Sequence, residues 1–251
     1  MSRFKITKFN NKWLLLDILM SIIKLQKSVI PSCDVNSLES LKRVVEETHS
    51  VVGIGGYKVG FELVIPFGMK RVVEVVRSVT DLPIIYDHQK AGTDIPEMGE
   101  KFMKACEGAD SVIIFPQAGP ETETEWIIAA SKIGMPIIVG GEMTHKGYLE
   151  GDGGFLMDDA PRRIYEIAAD LGVKDFVVPG NKPDKIEVYR EFLVGKGIDP
   201  VFYSPGLITQ GGDLTEGAVA AGNNWHAIIG RGIYQAEDMR KAAELFVSQL
   251  V

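Results

Sequence analysis

The chain has 251 residues, 45% of them hydrophobic and 24% charged, with a net charge of −7. This length suits one α/β barrel as well as two small domains, and it can bury a substantial core. The acidic balance argues against a nucleic-acid partner. The two cysteines, Cys33 and Cys106, form no CxxC pair and sit in apolar runs, so neither a disulfide framework nor a cysteine metal cluster is expected and a reducing cytoplasm is.

At the N-terminus, Trp13, Leu16, Met20 and Ile23 recur at helical spacing. An amphipathic helix packed on the body of the fold is predicted, within an extension covering residues 1–27. The apolar run from Leu14 to Ile23 carries Asp17 and is far too short to cross a bilayer, so no membrane partner is expected.

From Ser28 onward the pattern alternates short apolar runs with longer amphipathic ones. A strand at Ser28–Cys33 precedes a helix at Ser37–Thr48, and Gly56–Val59 precedes Phe67–Ser78. Pro83–Tyr86 is followed by Glu97–Cys106, Val112–Phe115 by Glu121–Lys132, and Pro136–Val139 by Pro161–Leu171. Asp175–Val178 leads to Pro183–Val194, Pro200–Tyr203 to Leu214–Ala221, and His226–Ile229 to Glu237–Val251. The strands are apolar throughout, as in a parallel sheet covered on both faces. In "MKRVVEVVRSV" one apolar stripe faces Lys70, Arg71, Glu74 and Arg77 across the helix. Asp158 or Asp159 is the expected cap of the helix that Gly172 ends.

Eight strand–helix units predict a single (β/α)₈ TIM barrel over residues 28–251. A doubly wound sheet would call for a glycine-rich turn after the first strand, where "SCDVNS" stands instead. In a barrel the chemistry gathers at the C-terminal ends of the strands. Asp34 follows the first strand and Lys58 lies within the second. Asp87, His88, Lys90 and Asp94 follow the third, Gln117 the fourth, and Glu142, Thr144 and His145 the fifth. Asn181 and Lys182 follow the sixth, Gln210 and Asp213 the seventh, and Arg231 the eighth.

Two loops point to phosphate. "SPGLITQGGD" follows the seventh strand, and "IIGRGIY" places Gly230 and Arg231 directly after the eighth. Backbone N–H groups and a helix N-terminus after these strands hold phosphate in many barrels, and an arginine adds two charge-assisted hydrogen bonds. Lys58, inside an apolar strand, needs a carboxylate to stay charged, and Asp34 or Asp87 on neighbouring strands is its expected partner. Lys90 stands among carboxylates and so stays protonated, which makes it a proton donor rather than an amine nucleophile. Lys58 also repels a cation at the end of the second strand, so no metal is expected. His226, which begins a strand, is expected to be structural.

With these residues in place the sequence resembles the orotidine 5′-phosphate decarboxylase family from about Val29 to Tyr234. The stretches that carry the likeness occur in order: "DVNSLE", "YKVGFEL", "DHQKAGTDIP", "GEMTHKG", "VVPGNKP", "SPGLITQGGD" and "IIGRGIY". The resemblance implies a cofactor-free enzyme that converts orotidine 5′-monophosphate to UMP, working as a homodimer with active sites at the shared interface. It implies that Asp34 and Lys58 bind the ribose, that Thr144 touches the pyrimidine, and that Gln210, Gly211, Gly230 and Arg231 hold the phosphate. Asp87, Lys58, Lys90 and the partner's Asp94 would form the charge array, with Lys90 protonating the carbanion.

The family signature is D-x-K-x-x-D, and here each gap is one residue longer: Asp87-x-x-Lys90-x-x-x-Asp94. Two arrangements are open. A bulge or turn brings Asp87 and Lys90 to one site, or His88, two residues before Lys90, takes the place of the acid. Met98 stands where many members carry a ribose-contacting threonine. Two other readings remain. One is a magnesium-dependent sugar-phosphate decarboxylase or aldolase of the same superfamily, with Glu62 as its nearest acidic residue after the second strand. The other is a non-catalytic barrel that binds nucleotide phosphates.

Overall fold

The computed structural model describes residues 6–9, 12–15, 21–88, 91–208 and 210–250. After a short antiparallel hairpin of β1 (Ile6–Phe9) and β2 (Lys12–Leu15) come eight parallel strands: β3 (Lys27–Cys33), β4 (Tyr57–Gly60), β5 (Ile84–Asp87), β6 (Ser111–Ile114), β7 (Ile137–Gly140), β8 (Asp175–Val177), β9 (Val201–Ser204) and β10 (Trp225–Ile229). They close in chain order, with β10 returning to pair with β3. The ring is the predicted (β/α)₈ barrel.

Side-chain alternation along the strands builds two cores. Tyr57, Val59, Ile84, Tyr86, Val112 and Ile114 point outward into the helix layer. Ile30, Ile85, Ile113, Ile138, Val177 and Ile228 point inward and fill the barrel. Both faces are apolar because both are covered, and for that reason these strands read as unbroken apolar runs.

The helix layer comprises α1 (Leu38–Thr48), α2 (Phe61–Phe67), α3 (Met69–Arg77), α4 (Gly99–Ala105), α5 (Pro120–Ile133), α6 (Ala160–Asp170), α7 (Pro183–Gly195), α8 (Leu214–Ala221), α9 (Arg231–Tyr234) and α10 (Met239–Ser248). Met69, Val72 and Val76 form the buried stripe of α3, while Lys70, Arg71 and Glu74 are exposed. The caps follow side-chain chemistry: Ser37, Asp213 and Asp238 each accept a hydrogen bond from the first-turn amide of Ser40, Glu216 and Lys241.

Three expectations change. At the N-terminus β1 and β2 pair as a hairpin, so the expected helix through Trp13, Leu16, Met20 and Ile23 would begin within a strand. The hairpin's side chains and Leu16–Met20 lie outside the described residues. Ile23 reaches the body of the fold without a helix and is buried in the barrel interior. Asp159 occupies the N-cap position of α6 but makes no capping bond, and Asp158 accepts from the Gly151 amide instead. Two short helices, α2 and α9, were not predicted. α2 contains Pro66, and α9 is a single turn.

Candidate active site

The inward row of each strand decides which polar groups meet at the barrel mouth. Tyr57 and Val59 face out, so Lys58 between them faces in. Register places it beside Ser32 on β3 and Ile85 on β5. Lys58 Nζ lies 3.1 Å from Asp87 Oδ2 and 3.7 Å from Asp34 Oδ1, and it donates to Ser32 Oγ at 3.2 Å. Ser32 Oγ in turn donates to Asp34 Oδ2 at 2.9 Å. The Lys58 side chain is 6% exposed, whereas that of Asp34 is 40% exposed, so the pair runs from the barrel interior to its mouth. Burial pulls the ammonium toward neutrality, but Asp87 and Asp34 outweigh it and hold the Lys58 pKa above its ordinary value. The cation is permanent at physiological pH.

The same alternation separates Asp87 from His88. Ile85 faces in and Tyr86 faces out, so Asp87 faces in and lines the cavity with Lys58. His88 turns to the helix side. It shares a hydrogen bond with the Tyr86 hydroxyl and meets the edge of Phe102 on α4. Of the two arrangements left open by the lengthened spacing, Asp87 is the side chain aimed at the cavity. Lys90 lies outside the described residues. At the next residue, Ala91 O accepts from the Phe115 amide at 2.8 Å.

Asp94 stands apart from this cavity. Its carboxylate accepts from the Ile95 amide and its carbonyl from Thr122 Oγ1, at a shallow surface depression lined also by Pro96 and Pro120. Met98 packs partly buried against the outer core.

The cavity has a volume of about 420 Å³, within the range of sites for small ligands. Asp34, Lys58 and Asp87 line it together with Thr144, Gln210, Gly230 and Arg231, and a Cβ on Gly230 would lie 3.5 Å from Asp34 Oδ2, so the ends of β10 and β3 adjoin at the mouth. Gly230 precedes the first turn of α9, and Tyr234 at the end of that turn also lines the cavity. In the loop after β9, Gly206 has a φ of +89°. A Cβ there would lie 2.5 Å from Thr144 Cγ2, so only glycine lets this loop approach Thr144. Ile208 in the same loop holds a φ of +64°, a conformation that costs a branched side chain roughly 1–2 kcal/mol. Gly211, with a φ of +86°, shapes the turn but does not line the cavity.

Thr144 is fixed from behind by the loop after β8. Asn181 Nδ2 donates to Thr144 O at 3.0 Å, and Lys182 Nζ donates to Met143 O at 3.3 Å and pairs with Glu142 Oε1 at 2.7 Å. Glu142 is buried and also accepts from the Tyr189 hydroxyl. Two consecutive residues after β8 thus clamp three consecutive residues after β7.

Several polar residues at strand ends serve elsewhere. Gln117 holds the Tyr148 hydroxyl, which donates to Gly141 O. His226 is buried inside the barrel against Ser28 Oγ, at 2.8 Å, and burial lowers its pKa to about 3, so it is a neutral structural group. Glu62 is exposed on α2 and does not line the cavity. Among the described residues no three His, Cys, Asp or Glu side chains are grouped to hold a metal ion. Sequence reasoning missed Ser32 and Tyr234. The signals were their spacing, two residues before Asp34 on an inward row and three after Arg231 on a helical turn.

The family model for orotidine 5′-phosphate decarboxylase / HUMPS matches residues 27–246. The chain belongs to this family. An orotidine 5′-phosphate decarboxylase of Methanosarcina mazei is 31% identical over 219 residues, covering 86% of this chain and 91% of that one. One from Pyrococcus abyssi is 30% identical over 217 residues, covering 86% and 95%. The orotidine 5′-monophosphate decarboxylase of Methanocaldococcus jannaschii, solved with the inhibitor BMP, has the same fold. Its TM-score is 0.78 at 24% identity, over 89% of this chain and 98% of that one. The family match begins at the first residue of β3 and ends within α10, so it spans the barrel and leaves out the hairpin.

Proposed function

We propose that this chain converts orotidine 5′-monophosphate to UMP and CO₂, the first member of this pair held along the cavity from Arg231 to Lys58. The observation that carries the reading is the Asp34–Lys58–Asp87 array, with Lys58 and Asp87 buried and Asp34 at the mouth, lining one cavity with Gln210, Gly230 and Arg231 in a chain of this family. Gln210, Gly230 and Arg231 bind the phosphate, with Gly211 setting the loop. Asp34 and Lys58 bind the ribose hydroxyls, and Thr144 binds the pyrimidine edge.

In the chemical step the bond from C6 to the carboxylate breaks and CO₂ leaves. The electron pair stays on C6, which has no conjugated sink for it. Lys90 supplies a fixed ammonium beside that carbon, stabilises the developing charge and then transfers a proton to it. Asp87 faces the departing carboxylate and keeps the neighbouring lysines charged. Fixed charges act most strongly in a site closed from water. Phosphate binding, remote from C6, contributes the energy that closes the loop after β9. Atoms and electrons balance without an electron acceptor, so the reaction as written uses no cofactor. Lys58 disfavours a cation near the reacting carbon, and Glu62 does not line the cavity, which weighs against a magnesium-dependent sugar-phosphate reaction.

The reading extends to a homodimer in which Asp94 completes the partner's site. Asp94 is not among the described residues that line the cavity of its own chain, and beside it Ile95 is an exposed apolar residue. Mixing inactive Lys90→Ala and Asp94→Ala proteins under exchange conditions should restore about one quarter of wild-type activity, since each mixed dimer keeps one intact site. Mixtures as inactive as their components would place Asp94 in the site of its own chain, and an Asp94→Ala protein that is itself active would place it outside the catalytic array. Residues 1–27 are read as an extension of the catalytic barrel at 28–251. The two buried free cysteines fit a reducing cytoplasm. No helix among the described residues is long and apolar enough to cross a membrane.

The activity is tested by following the loss of ultraviolet absorbance as purified protein meets orotidine 5′-monophosphate, with and without excess EDTA. Conversion to UMP that is indifferent to EDTA is expected. No conversion, or turnover of sugar phosphates that EDTA stops, would overturn the proposal in favour of the magnesium-dependent reading.

A further inference from the structure

Between α5 and α6, away from the reaction cavity, lies a second cavity of about 140 Å³. No residue lining it also lines the reaction cavity. Its walls are apolar, formed chiefly by Pro116, Pro120, Leu156, Ile164 and Ile167. Glu123, in the first turn of α5, lines the same space and is only 1% exposed. Its Oε1 is buried without a hydrogen-bond partner among the described residues. Burial pushes this carboxyl up to about 8. A leucine or methionine would fill the space at no polar cost, whereas this chain keeps an unsatisfied acceptor there.

Size and charge narrow what fits. An apolar protein cavity of roughly 150 Å³ accommodates a benzene-sized ring. An anion would lose its hydration among the apolar walls. A cation would meet Arg163, which also lines the cavity and is exposed, and would lose its hydration among the apolar walls. What remains is a neutral ring carrying one O–H or N–H group. We infer that the α5–α6 cavity is a binding site for a neutral, ring-sized molecule that donates one hydrogen bond to Glu123 from an otherwise apolar body. The donor pairs with the Glu123 carboxyl, and the ring takes up the space between Leu156, Ile164 and Ile167.

Phenol and toluene are the probes, since they match in shape and differ in the donor. The full chain is titrated with each while the methyl NMR signals of Ile164 and Ile167 are followed. Saturable binding of phenol, at least about tenfold tighter than toluene, is expected, a factor equal to one modest buried hydrogen bond. Glu123→Leu should remove phenol binding, and Ile167→Trp, which fills the cavity and keeps the carboxyl, should do the same. Circular dichroism verifies that each variant is folded, and one folded variant suffices. Equal binding of toluene, no saturation by phenol, or undiminished phenol binding in a folded variant would overturn the inference.

Discussion

Lys90→Ala is expected to abolish turnover while UMP still binds within about tenfold of wild type. The lysine has two tasks in the proposed step. As proton donor it contributes a factor of about 10²–10⁴. As a fixed charge beside the carbanion it contributes about 10²–10³ more. The combined loss in kcat/KM should exceed about 10⁴, measured by ultraviolet absorbance. Affinity is spared because the ribose and phosphate groups are held by Asp34, Lys58, Gln210, Gly230 and Arg231. UMP titrated by calorimetry gives the second half of the comparison. Equal losses of turnover and UMP affinity would make Lys90 a binding group, and turnover within tenfold of wild type would remove it from the chemistry.

Lys58→Met should cost both stability and activity. The ammonium lies between Asp34 and Asp87, and its loss leaves two carboxylates facing each other across the site. Breaking a fully buried pair costs about 3–5 kcal/mol. Asp34 is substantially exposed, and solvent screening reduces the expected cost to about 1–3 kcal/mol. For a chain of this size that lowers Tm by roughly 2–12 °C, as read by calorimetry. The pH dependence has a definite sign. The folded pKa of Lys58 stands above its ordinary value, so its contribution is fully present below the unfolded pKa, about 10.4, and fades as pH rises through the folded one. The Tm difference attributable to Lys58 should therefore be flat from about pH 6 to 9. In activity, kcat/KM should fall by about 10²–10³, because ribose binding and the placement of Asp87 are lost together.

Most of the barrel was legible because doubly covered strands are unbroken apolar runs, and their ends were found to within about a residue. The same property hid the orientation of the third barrel strand. Ile84, Ile85 and Tyr86 are apolar on both faces, so sequence alone gave no sign of which alternate set points inward, and Asp87 and His88 stayed interchangeable. Lys58 was legible because it was the one charged residue in its run. The hairpin was misread because Trp13, Leu16, Met20 and Ile23 mimic a helical stripe. Glu123 was invisible for a different reason. In "PETETEW" it alternates with Glu121 and Glu125 and looks like one more residue of a solvated helix face, whereas α5 turns it inward.

The spacing around Lys90 is one residue longer in each gap than the family signature, and a side-by-side measurement of Asp87→Asn and His88→Ala tests most directly which side chain serves the site. Asp87 is aimed into the cavity at Lys58, while His88 is packed against Tyr86 and Phe102. The account predicts that Asp87→Asn lowers kcat/KM for orotidine 5′-monophosphate by at least about 10², and that His88→Ala stays within about threefold of wild type. A loss centred on His88, with Asp87→Asn close to wild type, would contradict it.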